Sequence, residues 1–136
     1  MAELKIPALL EHVKDARTFI AKILGDAGFP SSQITELSIV VSEAVSNAID
    51  HGVHSTGGED VTLTCDTSDE DIVITVEDKG GQVFDPEYFE RVAAVRDWGK
   101  GGKGILIIAN IMDEVMYFSE EGQSTVLYAR VKRKGA

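Results

Sequence analysis

Residues 61–67 and 71–78 carry apolar side chains at every second position, and only Ser68, Asp69 and Glu70 separate them. A period of two sends successive side chains to opposite faces of a strand. The pair therefore predicts an antiparallel hairpin with one buried and one solvated face. The buried face needs a cover, and the rest of the chain has the spacing to supply it as helices.

Leu4-Lys5-Ile6 alternates and stops at Pro7, which suits a short edge strand. Residues 8–25 show helical spacing through Leu9, Leu10, Val13, Phe19, Ile20, Ile23 and Leu24, with Gly25 as the stop. The turn Gly28-Phe29-Pro30-Ser31-Ser32 leads into a second helix, with Ser31 or Ser32 as N-cap. That helix runs to about His51 with Gly52 as its C-cap. Ser55-Thr56-Gly57-Gly58 reads as a flexible loop. Residues 79–104 hold six of the 13 glycines, which marks a long loop with a short helix near 86–97. A third helix is expected over about 104–113. Strands at 114–119 and 124–132 then close the chain around Glu120-Glu121-Gly122-Gln123. The order β-α-α-β-β-loop-α-β-β has helices too few and too grouped for a doubly wound sheet. It predicts an α+β two-layer sandwich, with a mostly antiparallel sheet and helices on one face. The 136 residues form one domain without internal repeat or linker.

Charge and cysteine usage bound the function. The net charge is −10, from 23 acidic against 13 basic residues. Such a surface has little positive field to replace phosphate counterions, so direct nucleic-acid binding is not expected. Lys132, Arg133 and Lys134 cluster near the C-terminus, where they read as solubilising charges. The N-terminus is charged every few residues and resembles no secretory signal. No apolar run approaches the roughly 20 residues of a membrane span. Cys65 is the single cysteine, so no internal disulfide forms, and it reads as a small residue of a strand. A reducing cytoplasm is the expected compartment.

Three segments carry chemistry. In Val40-Val41-Ser42-Glu43-Ala44-Val45-Ser46-Asn47-Ala48-Ile49-Asp50-His51, the residues Glu43, Asn47 and His51 fall four apart. On a helix they stack along one face. A carboxylate, an amide and an imidazole so placed suit a base and an oxygen ligand for a bound nucleotide. The same spacing is also what an amphipathic helix shows its solvent. The second segment, Val76-Glu77-Asp78-Lys79-Gly80-Gly81, ends a strand. It offers either a carboxylate accepting a hydrogen bond from a ligand amine or an ordinary turn. In the third, Gly99-Lys100-Gly101-Gly102-Lys103-Gly104 precedes the apolar helix Ile105–Met112. A Gly-rich loop at a helix N-terminus exposes backbone N–H groups to an anion, with Lys100 and Lys103 adding charge. The alternative is a flexible loop and a cap. Neither the Walker pattern nor the dinucleotide fingerprint is matched.

Taken in order, these segments resemble the histidine-kinase-like ATPase superfamily that includes gyrase and the bacterial sensor kinases. Within it, Glu43-Ala44-Val45-Ser46-Asn47-Ala48-Ile49-Asp50-His51-Gly52 and Met112-Asp113-Glu114-Val115 look like the anti-sigma factor serine/threonine kinases. The resemblance covers nearly the whole chain. It implies that Asn47 binds Mg²⁺ bridging the phosphates of ATP, and that Glu43 is the general base toward a substrate serine or threonine. It also implies that His51 lies near the phosphates, Asp78 accepts the adenine amino group and Gly80 lets the base approach. Gly102 and Gly104 would cradle the phosphates, with Lys103 between them where the superfamily usually has an apolar residue. Thr125 would close the adenine pocket. Gln82 stands where the strand-Asp motif usually has a further glycine.

The implied protein is an ATP-dependent kinase that phosphorylates an anti-sigma factor antagonist and sequesters a sigma factor, with a homodimer left open. Two other readings remain, an ATP-binding partner switch that transfers no phosphate and an ATP-hydrolysing module. Glu43 favours the kinase, because a switch needs no base there.

Overall fold

The computed structural model describes residues 1–49, 60–78, 103–120 and 124–134. Five strands form one sheet: β1 (Ala2–Pro7), β2 (Asp60–Thr67), β3 (Asp71–Asp78), β4 (Glu114–Glu120) and β5 (Ser124–Lys132). Their order is β1-β2-β3-β5-β4, and every neighbouring pair is antiparallel. The helices are α1 (Val13–Asp26), preceded by a 3₁₀ turn at Leu10–His12, then α2 (Ser31–Asn47) and α3 (Lys103–Ile111). The α+β sandwich expected from the alternation is the observed architecture, with β1 at an edge. The expected loop at 55–58, helix near 86–97 and Gly52 cap lie outside the described residues, as does the turn at 121–123.

Alternation sets which face is covered. Val61, Leu63 and Cys65 of β2, Ile72, Ile74 and Val76 of β3, and Leu127, Ala129 and Val131 of β5 are all buried. Their registers match across the ladders, as in Leu63↔Val76 and Val76↔Leu127. These residues pack in one core with Ile20 and Leu24 of α1, Leu37, Val40, Val41 and Val45 of α2, and Ile108 of α3. The other face is half-exposed and mixed, with Val73, Val126, Tyr128 and the exposed Met116 among its polar residues. There Thr64 and Thr75 hydrogen-bond across β2 and β3, and Arg130 lies 3.6 Å from Asp71 and 3.7 Å from Glu114. Cys65 belongs to the core, and burial, helped by the Asp66 charge, pushes its thiol up to about 12. It is therefore protonated and unreactive at neutral pH.

The helix ends differ from the sequence expectation. Gly25 lies inside α1, and the chain turns at Gly28 with φ of +80°. Phe29 N–H donates to Leu24 O and Gly28 N–H to Gly25 O, which closes a Schellman motif. A glycine three residues further on thus stops the helix, because only there does the backbone enter the left-handed region. The N-cap of α2 is Pro30 rather than Ser31 or Ser32. Its extended backbone leaves its carbonyl to accept from the N–H groups of Gln33 and Ile34.

The C-terminal basic residues are structural where the sequence suggested a solvated tail. Gln33 on α2 is 2% exposed. Its Nε2 donates to Lys132 O at 2.8 Å, and its Oε1 accepts from Lys134 N–H at 2.9 Å. Arg133 sits 4.3 Å over the Phe29 ring and donates to Ala27 O. Lys134 Nζ reaches Glu36 at 2.6 Å. Across the same strand end, Asp113 accepts from Lys132 N–H at 2.8 Å. The end of β5 is thereby pinned to the α1–α2 turn and to the start of β4. Gln33→Ala leaves the part-buried Lys132 carbonyl and Lys134 N–H without their partner, which costs about 1–3 kcal/mol. Urea unfolding should show a lower midpoint at an unchanged m-value; an unchanged midpoint would show that the clamp is dispensable.

Candidate functional site

Packing fixes the rotation of α2. Gln33, Leu37, Val40, Val41, Ala44 and Val45 are buried and define its inner face. Glu43 and Asn47 are half-buried at the border of that face. They are one turn apart, so their side chains rise in one row about 6 Å apart along the axis. Regular α geometry ends at Asn47, and Ala48 and Ile49 continue in a wider π-type turn. Such local widening is frequent at functional sites. Glu43 and Asn47 are both half-buried, whereas Ser31, Ser32 and Thr35 in the first turns of the same helix are exposed.

Asp78 is the most informative position of the sheet. In β3 every second residue is buried, from Ile72 through Ile74 and Val76 to Asp78. The last position of an apolar stripe is thus a carboxylate, only 4% exposed. A turn residue of the ordinary kind would lie in solvent. Burial of a carboxylate costs several kcal/mol unless it is hydrogen-bonded or paired, and Asp78 is engaged within the protein. Its register partners are Val61 on β2 and Thr125 on β5. Asp78 and Thr125, singled out separately in the sequence, are therefore directly opposite each other in neighbouring strands.

Lys103 and Gly104 fall in the first turn of α3, one residue earlier than the helix start expected from the sequence. This helix packs against α2 and β4. The backbone N–H groups of such a first turn have no intrahelical acceptor and face whatever precedes the helix. His51, Gly80 and Gly102 lie outside the described residues. Among the described residues, no three histidine, cysteine, aspartate or glutamate side chains gather into a metal cage. No described helix is long and apolar enough to cross a membrane. The buried amide of Gln33 escaped the sequence reading, because a glutamine in the first turn of a helix carries no signal of burial.

Comparison with known proteins converges on one group. Residues 6–131 match the family described as "Histidine kinase-like ATPase domain". A serine-protein kinase RsbW from Listeria monocytogenes is 29% identical, over 96% of this chain and 87% of the relative. An anti-sigma F factor from Oceanobacillus iheyensis is 31% identical, over 92% of this chain and 87% of the relative. Among solved structures, the RsbU and RsbW domains of Rv1364c from Mycobacterium tuberculosis align with a TM-score of 0.67 at 19% identity. That alignment covers 98% of this chain and 33% of the other. The catalytic domain of histidine kinase ThkA aligns with a TM-score of 0.59 at 14% identity, over 98% of each chain. At such identities the structural likeness speaks for the fold alone. The family match spans nearly the whole chain and contains α2, β3, α3 and β5, the elements that hold the site. The chain belongs to the histidine kinase-like ATPase domain family, in the branch whose curated members are named serine-protein kinases and anti-sigma factors.

Proposed function

We propose that the chain is an ATP-dependent serine/threonine protein kinase that phosphorylates a small antagonist protein and holds a sigma factor inactive. Residues 1–136 act as its single ATP-binding domain. The observation that carries this reading is the Glu43–Asn47 row on the border of α2, together with the carboxylate of Asp78 buried at the end of β3. The names of the relatives point the same way.

Each role follows from chemistry. Phosphoryl transfer asks the protein for positioning and charge compensation more than for covalent help. Asp78 accepts a hydrogen bond from the adenine amino group, with Gly80 and Thr125 shaping that pocket. Gly102, Lys103 and Gly104 receive phosphate oxygens at the start of α3, and His51 lies near them. The neutral amide oxygen of Asn47 suits Mg²⁺, which keeps several waters and takes the rest of its shell from phosphates. Bound there, the ion supplies neutralisation of the phosphate charge. Glu43, one turn away, takes the proton of the serine or threonine hydroxyl as its oxygen bonds the γ-phosphorus. The bond from that phosphorus to the β–γ bridging oxygen breaks, and ADP leaves with the electron pair. A partner switch that transfers nothing would have no use for a carboxylate at position 43.

The direct test incubates the purified chain with γ-labelled ATP and a lysate of the native host, then purifies the labelled protein as acceptor. A kinase labels a small protein on serine or threonine; absence of any labelled acceptor contradicts the proposal. Glu43→Gln keeps the shape and removes the base. ATP affinity should persist while transfer falls by roughly 10²–10⁴-fold, the usual worth of general-base catalysis. Unchanged transfer would make Glu43 structural. Asn47→Ala should lose Mg²⁺-dependent ATP affinity in calorimetry with little change in thermal midpoint, since the residue is not in the core. Equal affinity in the presence of Mg²⁺ would remove Asn47 from the site.

A further inference from the structure

Gln33 is a buried amide that the proposed chemistry does not use. Both ends of its side chain bind backbone at the end of β5: Nε2 donates to Lys132 O at 2.8 Å, and Oε1 accepts from Lys134 N–H at 2.9 Å. A glutamine is seldom buried, because an apolar residue of like size fills the same space without needing partners. What the amide adds is direction. Apolar packing is non-directional, and packed helices slide past their neighbours by about 1–2 Å between states. A hydrogen bond holds its two atoms to roughly a few tenths of an ångström. Leu37, Val40, Val41 and Val45 therefore set which face of α2 meets the core, and Gln33 sets how far along its own axis the helix lies relative to β5.

The clamp sits at one end of these two elements and the candidate site at the other. Asn47 lies fourteen residues beyond Gln33 on α2, about 21 Å at the helical rise. Thr125 lies seven residues before Lys132 on β5, about 24 Å at the strand rise. A helix and a strand of nearly equal reach are thus fastened together at one end. At their other ends they carry Asn47 and the position opposite Asp78. Regular α geometry is unbroken from Ser31 to Asn47, so an axial shift at the start of α2 arrives undiminished at Glu43 and Asn47. We infer that Gln33 is a positioning residue, whose two hydrogen bonds to the end of β5 set the axial place of Glu43 and Asn47 relative to Asp78 and Thr125. The inference rests on the kinase reading for what is being aligned, the base and the Mg²⁺ ligand against the adenine pocket. It adds to that reading a residue remote from the chemistry on which the alignment depends.

The test compares Gln33→Met with the wild type in the full chain, well below the thermal midpoint of the variant. Methionine keeps the unbranched length and the helix preference and removes both hydrogen bonds. Affinity for ADP without Mg²⁺ reads the adenine half of the site and should stay at the wild-type value. The gain in ATP affinity on adding Mg²⁺ should shrink. With the acceptor purified from the labelled band of the host lysate, kcat should fall roughly 10- to 100-fold, since a 1 Å misplacement costs up to about 10²-fold. Backbone amide shifts in NMR spectra should move along α2 from Leu37 to Asn47 and hold in β2 and β3. Gln33→Glu keeps the shape and the acceptor for Lys134 N–H and loses only the donor to Lys132 O. It should show the same changes at smaller size, and it carries the test if Gln33→Met does not fold. A lowered thermal midpoint with wild-type kcat, Mg²⁺ dependence and α2 shifts makes Gln33 purely structural and overturns the inference, leaving the kinase reading intact. Equal losses in ADP and Mg²⁺-ATP affinity overturn it as well. Absence of any labelled acceptor with the wild-type chain overturns the kinase reading, and the positioning role falls with it.

Discussion

The covered face of β3 governs the rest of the molecule. This strand has neighbours on both sides, and the buried positions Ile72, Ile74 and Val76 align with β2 and β5 through a single register. Slipping that register by one residue would turn every one of these side chains to solvent. Each fully buried aliphatic side chain contributes about 1.5–3 kcal/mol relative to an exposed one, so the register is strongly specified. The same stripe ends at Asp78. Hydrophobic burial of its three predecessors therefore holds a carboxylate at the end of the sheet's middle strand, where no apolar interaction would have placed one. Its burial is compensated by interactions within the protein, and the proposed function gives that carboxylate a ligand to bind.

The helical layer repeats the arrangement. Leu37, Val40, Val41 and Val45 fix the rotation of α2 against the sheet, and this rotation leaves Glu43 and Asn47 at the border. The clamp of Gln33, Arg133 and Lys134 fixes the start of the same helix relative to the end of β5. β5 also carries Thr125 opposite Asp78. The two parts of the candidate site, one on a helix and one on the sheet, are thus joined through part-buried hydrogen bonds as well as through the core. Rigid elements of this kind can hold functional groups to the tolerance that the proposed phosphoryl transfer would demand.

Period made the fold legible before any coordinates. The hairpin of β2 and β3, the edge position of β1 and the closing strands β4 and β5 follow from alternation and turn residues. The limits of the helices were less legible, because they depend on backbone detail. Gly25 and Gly28 are both plausible stops, and only the left-handed backbone at Gly28 distinguishes them. Ser31 looks like a cap, yet the carbonyl of Pro30 starts the helix. Arg133 read as a solubilising charge and Gln33 carried no signal, because their partners lie about 100 residues away in sequence. At the site, the spacing of Glu43 and Asn47 was readable but their border position was not, since that depends on what α2 packs against. For Asp78 the local sequence offered a plain turn or a ligand carboxylate, and its 4% exposure, which depends on the strands beside it, was not readable from the chain.

The central claim is that the sheet delivers Asp78 to an adenine base. Calorimetry of ATP and GTP binding to the wild type and to Asp78→Asn tests it most directly. The substitution keeps size and replaces an acceptor-only carboxylate with an amide that also donates. The account predicts a wild type that prefers ATP, and a folded variant whose ATP affinity drops and whose preference for adenine over guanine shrinks, because the adenine amino group loses its acceptor. Wild-type affinity and unchanged selectivity in a folded Asp78→Asn variant would contradict it, and would leave Asp78 as a buried structural carboxylate at the end of a strand.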